Sequence, residues 1–219
     1  MLANKTIKLD GDDFNAGFNL GAHFEPSDKT RLGIIYWSKV DLDFEGDVEI
    51  FPAGIQGGVS TNVPLVQFIR AGFYHEFTNK FALLGTIDWE NWSDFENQNL
   101  SVRAGSNLIP RNWDDTYHFA LGIHYRPRKP LLLQTGIAYD TSPVDSIDRT
   151  PDMPIDRQIR YAAGVQYQWS EKINIGGVVE FVDMGDAEII NPLLIGEYRN
   201  HVCLQYKLEI LIPTKWGLV

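Results

Sequence analysis

One stretch of this sequence, residues 130–169, alternates strictly between two kinds of side chain. Side chains change face at every residue of a strand, so each half of the stretch predicts a strand with one apolar face and one face of small and polar residues. The first half carries Leu131, Leu133, Thr135, Ile137 and Tyr139 on one face, and Leu132, Gln134, Gly136, Ala138 and Asp140 on the other. Between the two halves lies a loop rich in Pro, Asp and Arg. An apolar outer face, a polar inner face and long polar loops are typical of a barrel in a membrane.

The same alternation predicts about nine strands in the whole chain, each of roughly the length that a tilted strand needs to cross a bilayer. They span residues 14–25, 32–45, 65–77, 81–90, 117–125, 131–140, 161–169, 173–182 and 201–210. No stretch has the run of roughly 18 apolar residues that would predict a membrane-spanning helix.

The connections between these strands alternate in length. Short turns at residues 25–30, 78–80, 126–130 and 170–172 alternate with long loops at about 47–64, 91–114, 141–158 and 183–197. Outer-membrane barrels have short periplasmic turns and long outer loops, whereas a soluble β-sandwich has no reason to sort its loops by length onto one end. We therefore predict that residues 1–219 form a single all-β domain, an antiparallel transmembrane β-barrel.

Composition argues against several other classes of protein. The chain has 19 basic and 29 acidic residues, and a net charge of -10 argues against a nucleic-acid partner. A single cysteine, Cys203, excludes an internal disulfide and a cysteine-rich metal site. His118 and His124 share a strand face but lie too far apart to ligate one metal ion without help. Because no nucleophile, phosphate-loop or redox motif is present either, we expect no enzyme, no cofactor and no metal site.

Six segments carry a family resemblance. They are residues 15–22 (NAGFNLGA), 31–46 (RLGIIYWSKVDLDFEG), 72–83 (GFYHEFTNKFAL), 89–95 (WENWSDF) and, as the strongest match, 136–144 (GIAYDTSPV) with 149–157 (RTPDMPIDR). These segments resemble the long-chain fatty-acid outer-membrane transporter family of the FadL type. The similarity spreads over roughly residues 14–207, and its order and spacing argue against coincidence.

The resemblance implies a bacterial outer-membrane barrel of about 14 strands that is plugged by an N-terminal hatch. Such proteins take up long-chain fatty acids or other hydrophobic compounds passively, and some members import aromatic hydrocarbons. The family's hatch and first strands have no counterpart here, so we expect the C-terminal part of a larger barrel, as a fragment or a split gene product. Its two edge strands would then be exposed. The expected partners are outer-membrane lipid, a hydrophobic small molecule and the missing N-terminal part of the barrel. The alternative is a structural or adhesive barrel whose outer loops bind a partner protein.

Candidate substrate-binding residues lie in and beside the Pro-rich loop. Arg149, Arg157 and Arg160 could each pair with a substrate carboxylate, because a planar guanidinium offers two parallel hydrogen bonds. The other interpretation is that these arginines pair with nearby aspartates, such as Asp140, and hold the loop folded. We therefore retain all four residues as candidates.

Two further sets of residues have open interpretations. Trp92 and Trp113, in or beside a loop, could belong to interfacial girdles or could line a hydrophobic landing groove for substrate. Asp88 and Glu90 share the inward face of one strand. Paired carboxylates could act on a glycoside in a soluble sandwich, but polar lining of a barrel lumen explains them without a partner motif.

Overall fold

The structure is a computed structural model that describes residues 6–51, 55–95, 97–102, 105–191, 194–197 and 202–211. Within these ranges the chain is almost entirely strand, with one 3-10 turn at Trp92–Asp94. The strands are β1 (Thr6–Asp12), β2 (Asn19–Ser27), β3 (Thr30–Trp37), β4 (Val40–Phe51), β5 (Ile55–Leu65), β6 (Phe68–Glu76), β7 (Phe81–Glu90), β8 (Asn97–Val102), β9 (Gly105–Pro110), β10 (Thr116–Arg128), β11 (Leu131–Asp140), β12 (Gln158–Ser170), β13 (Ile173–Asp183), β14 (Glu188–Asn191), β15 (Leu194–Glu197) and β16 (Val202–Leu211).

Nine of these strands form one antiparallel sheet, which we call the wall. Its order from edge to edge is β2, β3, β6, β7, β10, β11, β12, β13, β16. Each wall strand pairs with the next wall strand along the chain, which confirms the predicted antiparallel arrangement. The predicted number of about nine strands is that of the wall, whereas the described residues form sixteen strands in all. His201, predicted to start the last strand, lies outside the described residues. Among the described residues β2 and β16 do not pair with each other, so the wall is an open sheet with two edges.

The two faces of the wall differ as the alternation predicts. Residues directly opposite each other in an antiparallel pair share a face. Leu121 pairs with Ile137, and both are exposed on the outer face, as side chains that meet lipid must be. Ala120 pairs with Ala138 on the inner face. The predicted faces of residues 131–140 are therefore confirmed.

The long connections of the wall contain strands that the sequence interpretation missed. β4 and β5 form a hairpin, β8 and β9 form a second, and β1 joins them in a five-stranded sheet of order β1, β4, β5, β8, β9. A third hairpin, β14 with β15, follows β13. The prediction of strand-free loops at residues 47–64, 91–114 and 183–197 was therefore wrong.

Several predicted strand boundaries were also wrong. The predicted strand 32–45 is two strands, because the chain leaves the wall after β3 and enters the second sheet at Val40. At the exit, Ser38 N donates to Phe18 O at 2.9 Å and Phe18 N donates to Ser38 Oγ at 2.9 Å. The predicted strands 14–25 and 65–77 start later, with β2 and β6. Period-2 alternation continues across these breaks, so the pattern carries no sign of them.

Candidate functional site

An aromatic cluster packs where the long connections meet the wall. Phe95 and Trp113 are buried, with ring centroids 5.1 Å apart and planes at 90°. Trp92 lies 5.1 Å from Trp113, and Val144 completes the buried group. Edge-on aromatic contacts of this kind stabilise a core beyond the area that they bury. The 3-10 turn that carries Trp92 thus packs onto the connection before β10.

Arg111 ties two long connections together, and the sequence interpretation missed it. Its side chain is 2% exposed. It donates to Thr150 Oγ1 at 2.6 Å and to both carboxylate oxygens of Asp152, at 3.2 and 2.7 Å. These paired hydrogen bonds lower the pKa of Asp152 to about 2. Arg111 and Asp152 are 41 residues apart, so local sequence gives no sign of the pair.

Arg149 is buried inside the Pro-rich connection, with 4% of its surface exposed. Its Nε donates to Ile155 O at 2.8 Å, and its Nη2 donates to Val144 O at 3.0 Å. A further donor reaches Glu188 O in the next long connection, and Asp156 lies 3.4 Å away as an ion-pair partner. This geometry corresponds to the second interpretation of Arg149, in which it holds the loop folded.

Four of the six candidate residues line one small pocket, which we call the loop-end pocket. Trp92 and Trp113 lie on its loop side, and Asp140 and Arg160 lie on the wall. The pocket has a volume of about 210 Å³. His118 Nδ1 lies 2.7 Å from Asp140 Oδ1, and Arg160 Nη2 lies 3.1 Å from Asp140 Oδ2. Asp140 therefore holds both neighbours in place on the pocket floor.

Arg157 and the two inward carboxylates have other environments. Arg157 Nη1 lies 3.5 Å from Asp183, and about two fifths of the arginine side chain is exposed. Asp88 is fully buried, and its Oδ2 accepts from Arg70 Nε at 2.7 Å. Glu90 accepts from Trp92 Nε1 at 2.8 Å. The carboxylates of Asp88 and Glu90 both face inward. Asp88 accepts from Arg70 on the wall, and Glu90 accepts from Trp92 in the loop.

A larger hollow, which we call the wall cavity, lies against the inner face below the loop-end pocket. Its volume is about 780 Å³. Most residues of its inner-face floor are small, namely Gly33, Gly72, Thr86, Ala120, Gly122, Gly136, Ala138 and Ala162, and the larger Ile35, Leu84 and Glu180 line the same face. Arg70 and Arg160 line it near the loops, and Arg31 and Tyr74 line it near the short turns. An added Cβ at Gly136 would lie 3.1 Å from Leu121 O, so the floor is close-packed backbone. Such a floor is mostly small and apolar, and it includes one carboxylate, that of Glu180 beside Ala162.

Other site chemistry is limited within the described ranges. They hold no group of three or more His, Cys, Asp or Glu side chains that could bind a metal ion. The described residues also contain no helix that is long and apolar enough to cross a membrane.

The sequence profile of a family described as outer membrane protein transport protein (OMPP1/FadL/TodX) matches residues 2–191. The chain is 28% identical to a "47 kDa outer membrane protein" of Pasteurella multocida, over 79% of this chain and 45% of that one. It is 27% identical to a "Long-chain fatty acid transport protein" of Escherichia coli, over 76% of this chain and 42% of that one. It thus spans less than half the length of these two curated relatives.

Solved structures share the fold. The chain superposes on a FadL homologue of Pseudomonas aeruginosa with a TM-score of 0.76 at 19% identity, over 94% of this chain and 53% of that one. The toluene transporter TodX of Pseudomonas putida gives a TM-score of 0.60 at 17% identity, over 89% of this chain and 48% of that one. The nine-stranded wall therefore has the antiparallel fold of these β-barrel proteins, and within the described residues it is an open sheet.

Proposed function

Because this chain belongs to the outer membrane protein transport family (OMPP1/FadL/TodX), we propose that it forms part of a channel for the passive uptake of hydrophobic compounds, long-chain fatty acids among them. Its curated relatives are named as outer-membrane and transport proteins. The chain is accordingly a protein of the bacterial outer membrane.

The observation that carries this proposal is the small-residue floor of the wall cavity. Glycine and alanine on the inner face leave room beside the wall, with a volume of about 780 Å³. An alkyl chain that leaves water for such a surface gains roughly 0.8 kcal/mol for each buried CH₂. Binding of this kind needs neither covalent chemistry nor an energy source, as passive uptake requires.

The loop-end pocket supplies the entry step in this proposal. Trp92, which packs against the buried Trp113, provides an apolar landing surface next to the outer loops. Arg160 then offers guanidinium donors to a carboxylate head group, with Asp140 holding the arginine in place. Arg157 offers a second, partly exposed guanidinium beside Asp183. Arg149 supports the site by holding the loop that frames it.

We also propose that residues 1–219 are one barrel domain within a larger barrel, with the remaining strands and a hatch supplied by an N-terminal part. The open edges at β2 and β16 support this, since unpaired edges in lipid leave backbone groups without hydrogen bonds. The test is a blot of the host's outer-membrane fraction with and without boiling. A boiling-sensitive band well above 24.9 kDa supports the proposal, and one near 24.9 kDa contradicts it.

A substitution at Arg157 tests the head-group role. We expect Arg157→Ala to weaken binding of a long-chain fatty acid by about tenfold, because one charge-assisted hydrogen bond is lost. Binding of a neutral hydrocarbon of similar length should change little. Arg128→Ala, which removes an exposed arginine at the turn end, is the matched control. Equal losses of affinity for the acid and the hydrocarbon would show that Arg157 does not bind the head group.

The second sheet favours one alternative function, an adhesive barrel that binds a partner protein. The long connections form a sheet of their own from β4, β5, β8 and β9, and among the described residues these strands are not part of the wall. Uptake of a radiolabelled fatty acid by cells that carry the protein separates the two functions. Uptake above that of cells without the protein supports the transporter, and its absence favours the adhesive barrel.

A further inference from the structure

The two ends of the wall carry opposite charge. The four short turns contain six basic and three acidic residues, at residues 25–30, 78–80, 126–130 and 170–172. The four long connections at the other end contain four basic and thirteen acidic residues, at residues 47–64, 91–114, 141–158 and 183–197. The turn end is therefore net positive in a chain whose net charge is -10. The proposed function gives this positive end no role.

One lysine lies in each of the four short turns, and all four lysines are exposed. They are Lys29, Lys80, Lys129 and Lys172. Within the part of the chain that the structure describes, none of them forms a salt bridge. Lys39, beside the long connections, instead pairs with Asp41 at 3.0 Å and with Asp94 at 3.3 Å. A negatively charged ligand can thus approach the turn lysines without displacing an acidic side chain of the described residues.

The turns lie side by side and form one edge of the wall. We call this edge the lysine rim, after Lys29, Lys80, Lys129 and Lys172. Arg126 N donates to Lys80 O at 2.7 Å, which places the β10–β11 turn beside the β6–β7 turn. Gln168 N donates to Pro130 O at 2.8 Å, so the β12–β13 turn lies next in the row. Because each turn joins two strands, neighbouring turns lie about 10 Å apart. These three turns lie between the edge strands β2 and β16, so strands added at those edges would not cover them.

A band of aromatic side chains lies on the outer face next to the lysine rim. Phe81 pairs with Tyr125 across β7 and β10, and the two rings stack with centroids 4.5 Å apart and planes at 17°. Phe77 and Trp169 are exposed at the same end of the wall. Aromatic rings form girdles where a membrane barrel meets the lipid head groups. Since Phe81 directly follows Lys80 in the chain, the lysine rim lies at the depth of those head groups.

The lysine rim lies on the side of the membrane that is formed by phospholipid. Short turns of outer-membrane barrels face the periplasm, and the periplasmic leaflet consists of phospholipid. A lysine ammonium binds phosphate as a point charge. A basic group close to a bilayer surface favours an anionic lipid over a neutral one by about fivefold. The acidic residues of the long connections would repel the same head groups, so this attraction is confined to the turn end.

We propose that the lysine rim binds the head groups of anionic phospholipids, such as phosphatidylglycerol, in the periplasmic leaflet of the outer membrane. The ammonium groups contact the lipid phosphates, and the aromatic band packs against the upper part of the acyl chains. This inference uses the membrane location of the chain and the charge of its turns. It does not use the wall cavity or the identity of the transported compound, so it holds or fails separately from the proposed function.

Spin-labelled lipids in reconstituted bilayers test the lysine rim. The barrel is purified as the host assembles it and placed in phosphatidylcholine bilayers. Electron paramagnetic resonance then gives the fractions of labelled phosphatidylglycerol and labelled phosphatidylcholine that are held at the protein surface. We expect phosphatidylglycerol to be favoured by about threefold at low salt, since a fivefold preference acts in only one of the two leaflets.

Substitutions assign this preference to the lysine rim. In a variant that combines Lys80→Gln, Lys129→Gln and Lys172→Gln, the preference should fall to about one. Lys39→Gln, which removes a lysine at the opposite end of the wall, is the matched control and should keep the preference of the unsubstituted protein. Should the triple variant fail to assemble, 1 M salt screens the same charges in the unsubstituted protein and should abolish the preference.

Three results would overturn the proposal. A preference near one in the unsubstituted protein would leave the lysine rim to water or to a soluble partner in the periplasm. A preference that persists in the triple variant, or in 1 M salt, would place the anionic lipid elsewhere on the protein. An equal decrease in Lys39→Gln would assign the effect to the total charge of the protein. Uptake of hydrophobic compounds enters none of these measurements, so each result leaves the proposed function untouched.

Discussion

The wall and the outer loops of this protein are held together in opposite ways. In the wall, large apolar side chains such as Leu121 and Ile137 point outward and are exposed, and the inner face consists largely of small residues. In the loops, Phe95, Trp113 and Val144 form a buried cluster of the kind found in soluble proteins. A lipid-facing sheet is stabilised by its hydrogen-bonded ladder and by lipid, so it needs no core of its own. The loops face water and must build one.

The arginines of the loops and of the wall also differ in their burial and in their partners. Arg111 and Arg149, in the loops, are buried and donate to acceptors in the loops. Arg31 and Arg70, on the wall, are about half exposed and line the wall cavity. The same type of side chain is therefore buried among its acceptors in one region and about half exposed at the cavity in the other, where Arg70 also pairs with the buried Asp88. Burial, and not residue type, separates the two roles.

The largest effect that distinguishes the regions is expected from Trp113→Ala. Truncating this buried ring should destabilise the loop cluster by about 3–5 kcal/mol, while the hydrogen-bonded wall persists. Hydrogen exchange should then become fast in residues 91–115 and 141–157 but not in the wall strands. Trp169→Ala, at an exposed position on the wall, is the control and should leave loop exchange unchanged. Faster hydrogen exchange in the wall strands of Trp113→Ala would show that the stability of the wall depends on the loop cluster.

A smaller loss is expected from Arg149→Met, which removes the donors but keeps much of the apolar stem. The Ile155 carbonyl would lose its arginine donor and the Val144 carbonyl would keep only Ser142 Oγ, at a cost of about 2–3 kcal/mol. Limited proteolysis should cut the connection between β11 and β12 faster than in the unsubstituted protein. Arg157→Met, whose parent side chain is partly exposed, should change the cleavage rate much less. Equal cleavage rates in the two variants would contradict the structural role of Arg149.

The Arg111–Asp152 pair should make the loops acid-sensitive. The pKa of Asp152 is lowered from 3.8 to about 2, so its carboxylate stabilises the folded loops above pH 3.8, and this is lost as pH falls through about 2. Because Asp152 is partly exposed, the contribution is about 1 kcal/mol. Loop hydrogen exchange should speed up over this window in the unsubstituted protein. The same acid dependence in Asp152→Asn would assign the effect to another group.

Sequence reasoning worked for the wall because one physical rule governs it. Each wall strand must show lipid one face and the lumen the other, so period-2 alternation locates the strands, as in residues 131–140. The same rule cannot tell to which sheet a strand belongs. β4 continues the alternation of β3, although it pairs with β1 and β5 in the second sheet.

The loop contacts were less accessible to sequence reasoning. Trp92, Trp113, Asp140 and Arg160 could be nominated singly, and the structure brings them to one pocket. The Arg111–Asp152 pair depends on how two long connections fold over each other, which no local pattern encodes. The one available signal is that both residues lie in connections on the same end of the wall.

The smallest effect is expected on the outer face of the wall, from Gly85→Ala. The added Cβ would lie 2.4 Å from Phe73 Cε1, which would be severe in a packed core. Phe73 faces lipid, however, and its ring can rotate away, so we expect a loss below about 1 kcal/mol in the unfolding free energy. Gly136→Ala is the comparison, because its Cβ would meet the Leu121 carbonyl oxygen at 3.1 Å, and backbone cannot move aside in a paired strand. Urea unfolding in detergent should rank Gly136→Ala as the more destabilised variant. If Gly85→Ala were instead the more destabilised variant, the outer face would have to be packed as tightly as the floor of the wall cavity. The wall would then depend on side-chain packing as the loops do, and the contrast between the two regions would not hold.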